Sequence, residues 1–185
     1  MARQGAADLA TLATLGSVLP ALMYLPLTER SGSAGLDGVP QLAEGLVAGA
    51  LPALTQLIIH CMHVGDAGAA ALAAALDRGA LPRLKDLWLV NAAIGDAALA
   101  ALAPALRRRP ALESLDLQSN PFGDEGLAAL VAPPPAGTPP PPAGGLKQLE
   151  RLDLGSTQFT DAGCATLAAA SHFEDRKSTR LNSSH

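Results

Sequence analysis

The sequence predicts an α/β solenoid, in which copies of one strand–helix unit stack so that a parallel sheet lines one side and helices line the other. Two observations predict it. Four stretches share one spacing: Leu54-x-x-Leu57-x-Ile59, Leu84-x-x-Leu87-x-Leu89, Leu112-x-x-Leu115-x-Leu117 and Leu149-x-x-Leu152-x-Leu154. Each has the same sequel: an apolar residue (Val64, Ile94, Phe122 or Phe159), an aspartate two places on (Asp66, Asp96, Asp124 or Asp161), then an alanine-rich run. The copies start 30, 28 and 37 residues apart, and a period of that size decides the fold before any local reading.

Two shorter periods lie inside each unit. Leu-x-Leu alternation marks a brief strand with one buried face. Leu99, Leu102 and Leu106, like Leu72 and Leu76, have helical spacing. One strand and one helix cannot bury their apolar faces alone, but stacked copies can.

Along the chain, Leu9 and Leu12 match the helix positions of a first copy, and Leu22-x-x-Leu25-x-Leu27 is a fainter strand 32 residues before Leu54. Pro26 makes that strand an edge, since proline cannot donate to a ladder. Leu9 to Thr28 carries no formal charge, but Pro20, Pro26 and several Thr and Gly favour repeat over membrane anchor. Asp66 and Asp96 stand where a helix needs an N-cap, at the positive end of its dipole. Pro82 and Pro110 fall after the helices and before the next strands. Ala70, Ala73, Ala74, Ala100, Ala101 and Ala128 are expected to keep the helices slim where neighbours meet.

These residues resemble the leucine-rich repeat family, in its ribonuclease-inhibitor-like class with units of about 28 residues. The strand pattern followed by Ile94-Gly95-Asp96 and its equivalents carries the resemblance, over roughly Leu9 to Phe173. It implies a horseshoe with a parallel β-sheet on the concave face and α-helices on the convex face. The family's loop asparagine, three residues after the last strand leucine, is present once as Asn120; Arg30, Met62, Ala92 and Thr157 hold that place elsewhere, and Asn91 lies one residue early. The side-chain tie between neighbouring loops is therefore expected to be mostly absent.

Residues 1–174 thus read as one domain of about five repeats, with a proline-rich insert at 132–145 that accounts for the long spacing. Pro133 should end the preceding helix early. The insert reads as a spacer, since it contains no arginine to orient docking in a polyproline groove. Residues 175–185, Asp-Arg-Lys-Ser-Thr-Arg-Leu-Asn-Ser-Ser-His, match one frame of a widely used sequencing-library adapter at every position and read as a non-native tail. More repeats are expected beyond Phe173.

Composition narrows the function. A net charge of −4 gives no footprint for nucleic acid. Two cysteines three repeats apart make no disulfide framework and suit a reducing, cytoplasmic setting, each as a small buried residue. There is no nucleotide loop, zinc spacing or nucleophile motif, so no enzyme and no cofactor is implied. His60, Cys61 and His63 are the one cluster of potential ligands. Strand alternation should send His60 and Cys61 to opposite sides, with Cys61 packed in the loop, and no metal site is expected.

The outward positions of each strand give the candidate surface. The column before the second leucine is Tyr24, Gln56, Asp86, Ser114 and Arg151. The middle column is Pro26, Ile58, Trp88, Asp116 and Asp153, and the column after the third leucine is Thr28, His60, Val90, Gln118 and Gly155. The sole tryptophan and sole tyrosine of the chain fall on this face. Ile58, Trp88 and Val90 make an apolar patch beside Asp116 and Asp153, the pattern of a protein-binding hot spot. The expected function is a non-catalytic protein-interaction module of a larger intracellular scaffold or regulatory protein. The resemblance also leaves open an activator of a small GTPase or the sensor end of a nucleotide-binding receptor.

Overall fold

The computed structural model describes residues 21–28, 38–47, 49, 51–131, 146, 148–170 and 178–180. In chain order these form β1 (Tyr24–Thr28), α1 (Gly38–Val47), β2 (Gln56–His60), α2 (Gly65–Asp77), β3 (Asp86–Val90), α3 (Asp96–Arg107), β4 (Ser114–Asp116), α4 (Asp124–Val131), β5 (Arg151–Asp153), α5 (Asp161–Ala169) and β6 (Ser178–Arg180). The strands form one sheet in sequence order, every pair parallel. Each helix packs against the next in sequence. The architecture is the α/β solenoid expected. The copy at Leu9 and Leu12 and the proline-rich insert lie outside the described residues.

Register follows the repeat without slippage. Leu25, Leu57, Leu87, Leu115 and Leu152 align across five strands. The ladder is pinned at the start of each strand: Thr55 and Gln56 N–H donate to Met23 O, Lys85 and Asp86 to Thr55 O, Glu113 and Ser114 to Lys85 O, and Glu150 and Arg151 to Glu113 O. β1 stands at one edge, where Pro26 costs no ladder bond. At the other, Thr179 of the tail takes the register place that leucine holds elsewhere.

The three apolar strand positions are fully buried in the four strong copies, and Val64, Ile94 and Phe122 join the same core. Leu22 and Leu27 of the fainter copy are only partly buried, as suits an end. Each fully buried strand leucine contributes about 1.5–3 kcal/mol. The expected alanines need correction. Of those named, Ala73 is buried, whereas Ala70, Ala74, Ala100, Ala101 and Ala128 are exposed. The alanines at the packed flanks are Ala69, Ala75, Ala98, Ala103 and Ala105. Helix geometry explains it: with about 100° per residue, positions 70 and 74 lie opposite the Leu72–Leu76 stripe, whereas 69, 73 and 75 flank it.

The aspartates also differ from expectation. Asp66 is the second residue of α2, and Asp96 the first of α3, which has Gly95 at its N-cap with no side-chain bond. Asp96 reaches forward instead: its Oδ1 accepts from the N–H of Gly123 (2.8 Å) and of Gly126 (2.7 Å) at the start of α4. Asp124 does the same for α5, accepting from Thr160 N–H (2.8 Å) and Thr160 Oγ1 (2.7 Å). These carboxylates cap the helix of the following repeat, not their own. α4 is described to Val131, and Pro133, expected to end it early, lies outside the described residues.

Candidate functional site

Two of the three outward columns run through all five strands in the structure. Tyr24, Gln56, Asp86, Ser114 and Arg151 are successive register partners, as are Pro26, Ile58, Trp88, Asp116 and Asp153. In the third column Thr28, His60 and Val90 pair, but β4 stops at Asp116, so Gln118 lies in the turn beyond it. Tyr24 is 50% exposed, and His60 and Arg151 are exposed. Ile58, Asp86, Trp88, Val90, Asp116, Gln118 and Asp153 are half-buried. The face therefore runs from an apolar end on β1 to β3 to an acidic end on β4 and β5.

Side chains on this face hold one another in place. The indole Nε1 of Trp88 donates to Ser114 Oγ (3.4 Å), and Ser114 is buried beneath it. The sequence placed Ser114 outward but did not assign it this role. The signal available was its diagonal position, one strand over from Trp88. Asp116 Oδ1 accepts from Gln118 N–H (3.0 Å), and Oδ2 from the Gln118 amide (3.1 Å). Asp153 Oδ1 accepts from Gly155 N–H (3.0 Å), the same turn one repeat later. Asp86 Oδ2 accepts from the Gln56 amide (3.1 Å).

Electrostatics set the two ends apart. Burial pushes the Asp116 carboxyl above the ordinary carboxylate value; the Gln118 donors oppose this and the Asp153 charge adds to it. Burial likewise pushes Asp86 up, against the Gln56 bond. Taking a carboxylate out of water disfavours its charged form, so these groups remain on the face at some cost to folding. The ion pairs among the described residues, Lys85–Glu113 and Arg108–Asp77, involve none of the residues in the three columns.

The loop at the strand ends corrects a third expectation. Cys61 is exposed, not packed, and its Sγ lies 3.6 Å from His60 Nε2. Alternation fails there because Cys61 has φ 55°, a left-handed conformation shared by Asn91, Ser119 and Ser156 at the same place in the other repeats. This explains Asn91, one residue early for the loop tie: it fills the position whose backbone asparagine tolerates best among residues with a side chain, and its Nδ2 donates to Cys61 Sγ. No group of three or more potential metal ligands comes together among the described residues. No helix among them is long and apolar enough to cross a membrane.

Asn120 is the family's loop tie in full. It is buried; Oδ1 accepts from Ala92 and Ile94 N–H (3.0 Å each), and Nδ2 donates to Leu89 O and Leu117 O. Thr157, one repeat on, donates only to its own Leu154 O.

The family model described as "Leucine Rich repeat" matches residues 110–131 and 147–168. No curated protein matches the chain. Among solved structures, the actin-binding site 2 of leiomodin-1 aligns at 15% identity over 78% of this chain and 92% of that one, with a TM-score of 0.47. An internalin from Listeria monocytogenes aligns at 15% identity over 96% of this chain and 65% of its own, with a TM-score of 0.34. Both likenesses are loose, so the assignment rests on the matched segments and on the register that carries the same unit back to β1. On those grounds the matched segments are leucine-rich repeats, and the fold is that of a leucine-rich repeat solenoid.

Proposed function

We propose that the outward face of the sheet binds a protein partner, with Trp88 at the centre of the contact. The supporting observation is the in-register row Ile58–Trp88–Asp116–Asp153, half-buried throughout, with the indole held by Ser114. A rigid aromatic beside apolar neighbours and charged flanks loses little entropy on binding and excludes water from the contact. In this reading the chain is a non-catalytic module of the ribonuclease-inhibitor-like class, within a larger cytoplasmic scaffold or regulatory protein. The repeat array belongs to residues 1–174 and the tail at 175–185 to adapter; a genomic exon encoding those eleven residues in frame would overturn the latter.

The test is a selection from a random peptide library on the intact chain. Trp88→Ala is expected to leave the chain folded, with a cooperative urea transition, while weakening the selected peptides about tenfold or more. Peptides that bind Trp88→Ala as well as the parent chain place the contact elsewhere.

A further inference from the structure

We infer that the partner segment presents an arginine two positions from an apolar side chain, and that Trp88, Asp116 and Asp153 receive the guanidinium. The inference rests on the outward face being the binding surface and adds the chemistry of what it takes. The acidic end has a cation near it, Arg151, whose charge favours the ionised forms of Asp116 and Asp86 without closing an ion pair to either. Asp116 and Asp153 are register neighbours on adjacent strands, both half-buried, and neither takes part in an ion pair among the described residues. Their partners are the local N–H groups of Gln118 and Gly155 and the Gln118 amide, so each carboxylate keeps acceptor capacity. Arg151 stands in the neighbouring column, where its register partner is Ser114, and is exposed.

Trp88 precedes Asp116 in the same column. A flat guanidinium suits this boundary better than an ammonium. It can stack on the indole and still give two parallel hydrogen bonds to a carboxylate. The indole is already oriented by Ser114. Burial holds Asp86 and Asp116 above the ordinary carboxylate value, and an arriving cation would relieve that cost.

Spacing fixes the pattern of the segment. Strands lie about 4.8 Å apart, so from Ile58 to the Trp88–Asp116 boundary is roughly 7 Å. Alternate side chains of an extended chain are separated by about 6.7 Å. An apolar residue over Ile58 therefore puts the residue two places on over the boundary.

The selection described above tests this once its products are sequenced. The expected result is enrichment of an apolar residue and an arginine two apart. Replacing that arginine by citrulline, its neutral isostere, should weaken binding about tenfold. The loss should shrink to about twofold or less in a chain carrying Asp116→Asn and Asp153→Asn, since the coupling belongs to the pair. Asparagine keeps one acceptor oxygen, enough for the Gln118 and Gly155 N–H groups, and gives up only the bond from the Gln118 side-chain amide. If the double variant does not fold, added salt must weaken the arginine peptide and spare the citrulline one. Peptides that need Trp88 but show no arginine preference, or whose citrulline loss persists in the double variant or ignores salt, overturn this inference and leave the surface standing. Peptides that do not need Trp88 overturn both.

Discussion

Asp66 and Asp96 hold the same place in consecutive repeats but have different surroundings. Asp96 ties α3 to α4 through Gly123 and Gly126, whereas Asp66 is exposed and makes no side-chain hydrogen bond among the described residues. The difference lies in the following repeat. A Cβ on Gly126 would sit 2.8 Å from Asp96 Oδ1, and one on Gly163 would sit 2.4 Å from Asp124 Oδ1. The equivalent residue ahead of Asp66 is Ala98, which carries that carbon and is buried. Nearer the N-terminus, Gly68 meets Val39 instead of a carboxylate. The loop follows the same division, with Met62 and Ala92 buried where Asn120 is hydrogen-bonded on both sides. One backbone register is thus held by apolar contact in the first half and by polar clamps in the second. The segments matched as leucine-rich repeats, 110–131 and 147–168, belong to the second.

The largest expected effect breaks the polar half at its most connected point. Asn120→Ala strands the N–H groups of Ala92 and Ile94 and the carbonyls of Leu89 and Leu117, all served by one buried side chain. Each orphaned buried group costs about 1–3 kcal/mol, so the loss should be at least about 3 kcal/mol in urea unfolding. Ala92 already has the truncated side chain at this place and remains packed, because its loop is built around apolar neighbours. A cost below about 1 kcal/mol for Asn120→Ala would mean that both halves are held by packing alone.

Next in size is Gly126→Ala. The added carbon collides with Asp96, and the expected cost is about 1–3 kcal/mol. In a chain already carrying Asp96→Ala the same change should cost at least about 1 kcal/mol less, a coupling that only direct contact produces. Additivity of the two would show that the glycine is needed for helix packing and not for the clamp.

The strand positions were legible in the sequence because alternation and burial say the same thing at Leu57, Leu87, Leu115 and Leu152. The outward columns followed from the same alternation, which is why Trp88, Asp116 and Asp153 fell where expected. Alternation could not reach Cys61, where a left-handed residue ends the strand. Nor could local pattern assign Asp96, whose partners stand one whole repeat away. The visible sign was the glycine two places after Asp124 and Asp161, set against Ala98 two places after Asp96. It becomes readable only once adjacent copies are known to stack in register.

A smaller effect should be common to both halves. Cys61 and Ser119 share the left-handed loop position, with φ 55° and 59°. A left-handed residue with a Cβ carries a steric penalty of about 1–2 kcal/mol that glycine escapes, partly offset by glycine's greater freedom when unfolded. Cys61→Gly and Ser119→Gly should each gain a few tenths, about 0.5 kcal/mol, in the urea midpoint. A gain in one and a loss in the other would mean that the two halves differ in backbone as well as in clamps.

The subtlest contrast is between two carboxylates shifted in opposite directions. Donation by the Thr160 N–H, then by the Thr160 hydroxyl, holds Asp124 below the ordinary aspartate value. Its ionised form favours the fold, so its contribution is complete above that ordinary value, about pH 3.9, and fades as pH falls through the lower folded-state value. Asp116 is the reverse, pushed up chiefly by burial. Its protonated form is the one the fold prefers, so its contribution is complete below about pH 3.9 and is lost as pH rises through the raised value. Asp124→Asn should therefore lower the urea midpoint at neutral pH and Asp116→Asn should raise it, with both differences narrowing in acid. The clamp carboxylate is there for the fold, and the face carboxylate persists against it. If Asp116→Asn instead destabilises the chain at neutral pH, the Gln118 bonds outweigh burial, the strand face carries no uncompensated charge, and the argument for a cationic partner loses its electrostatic support.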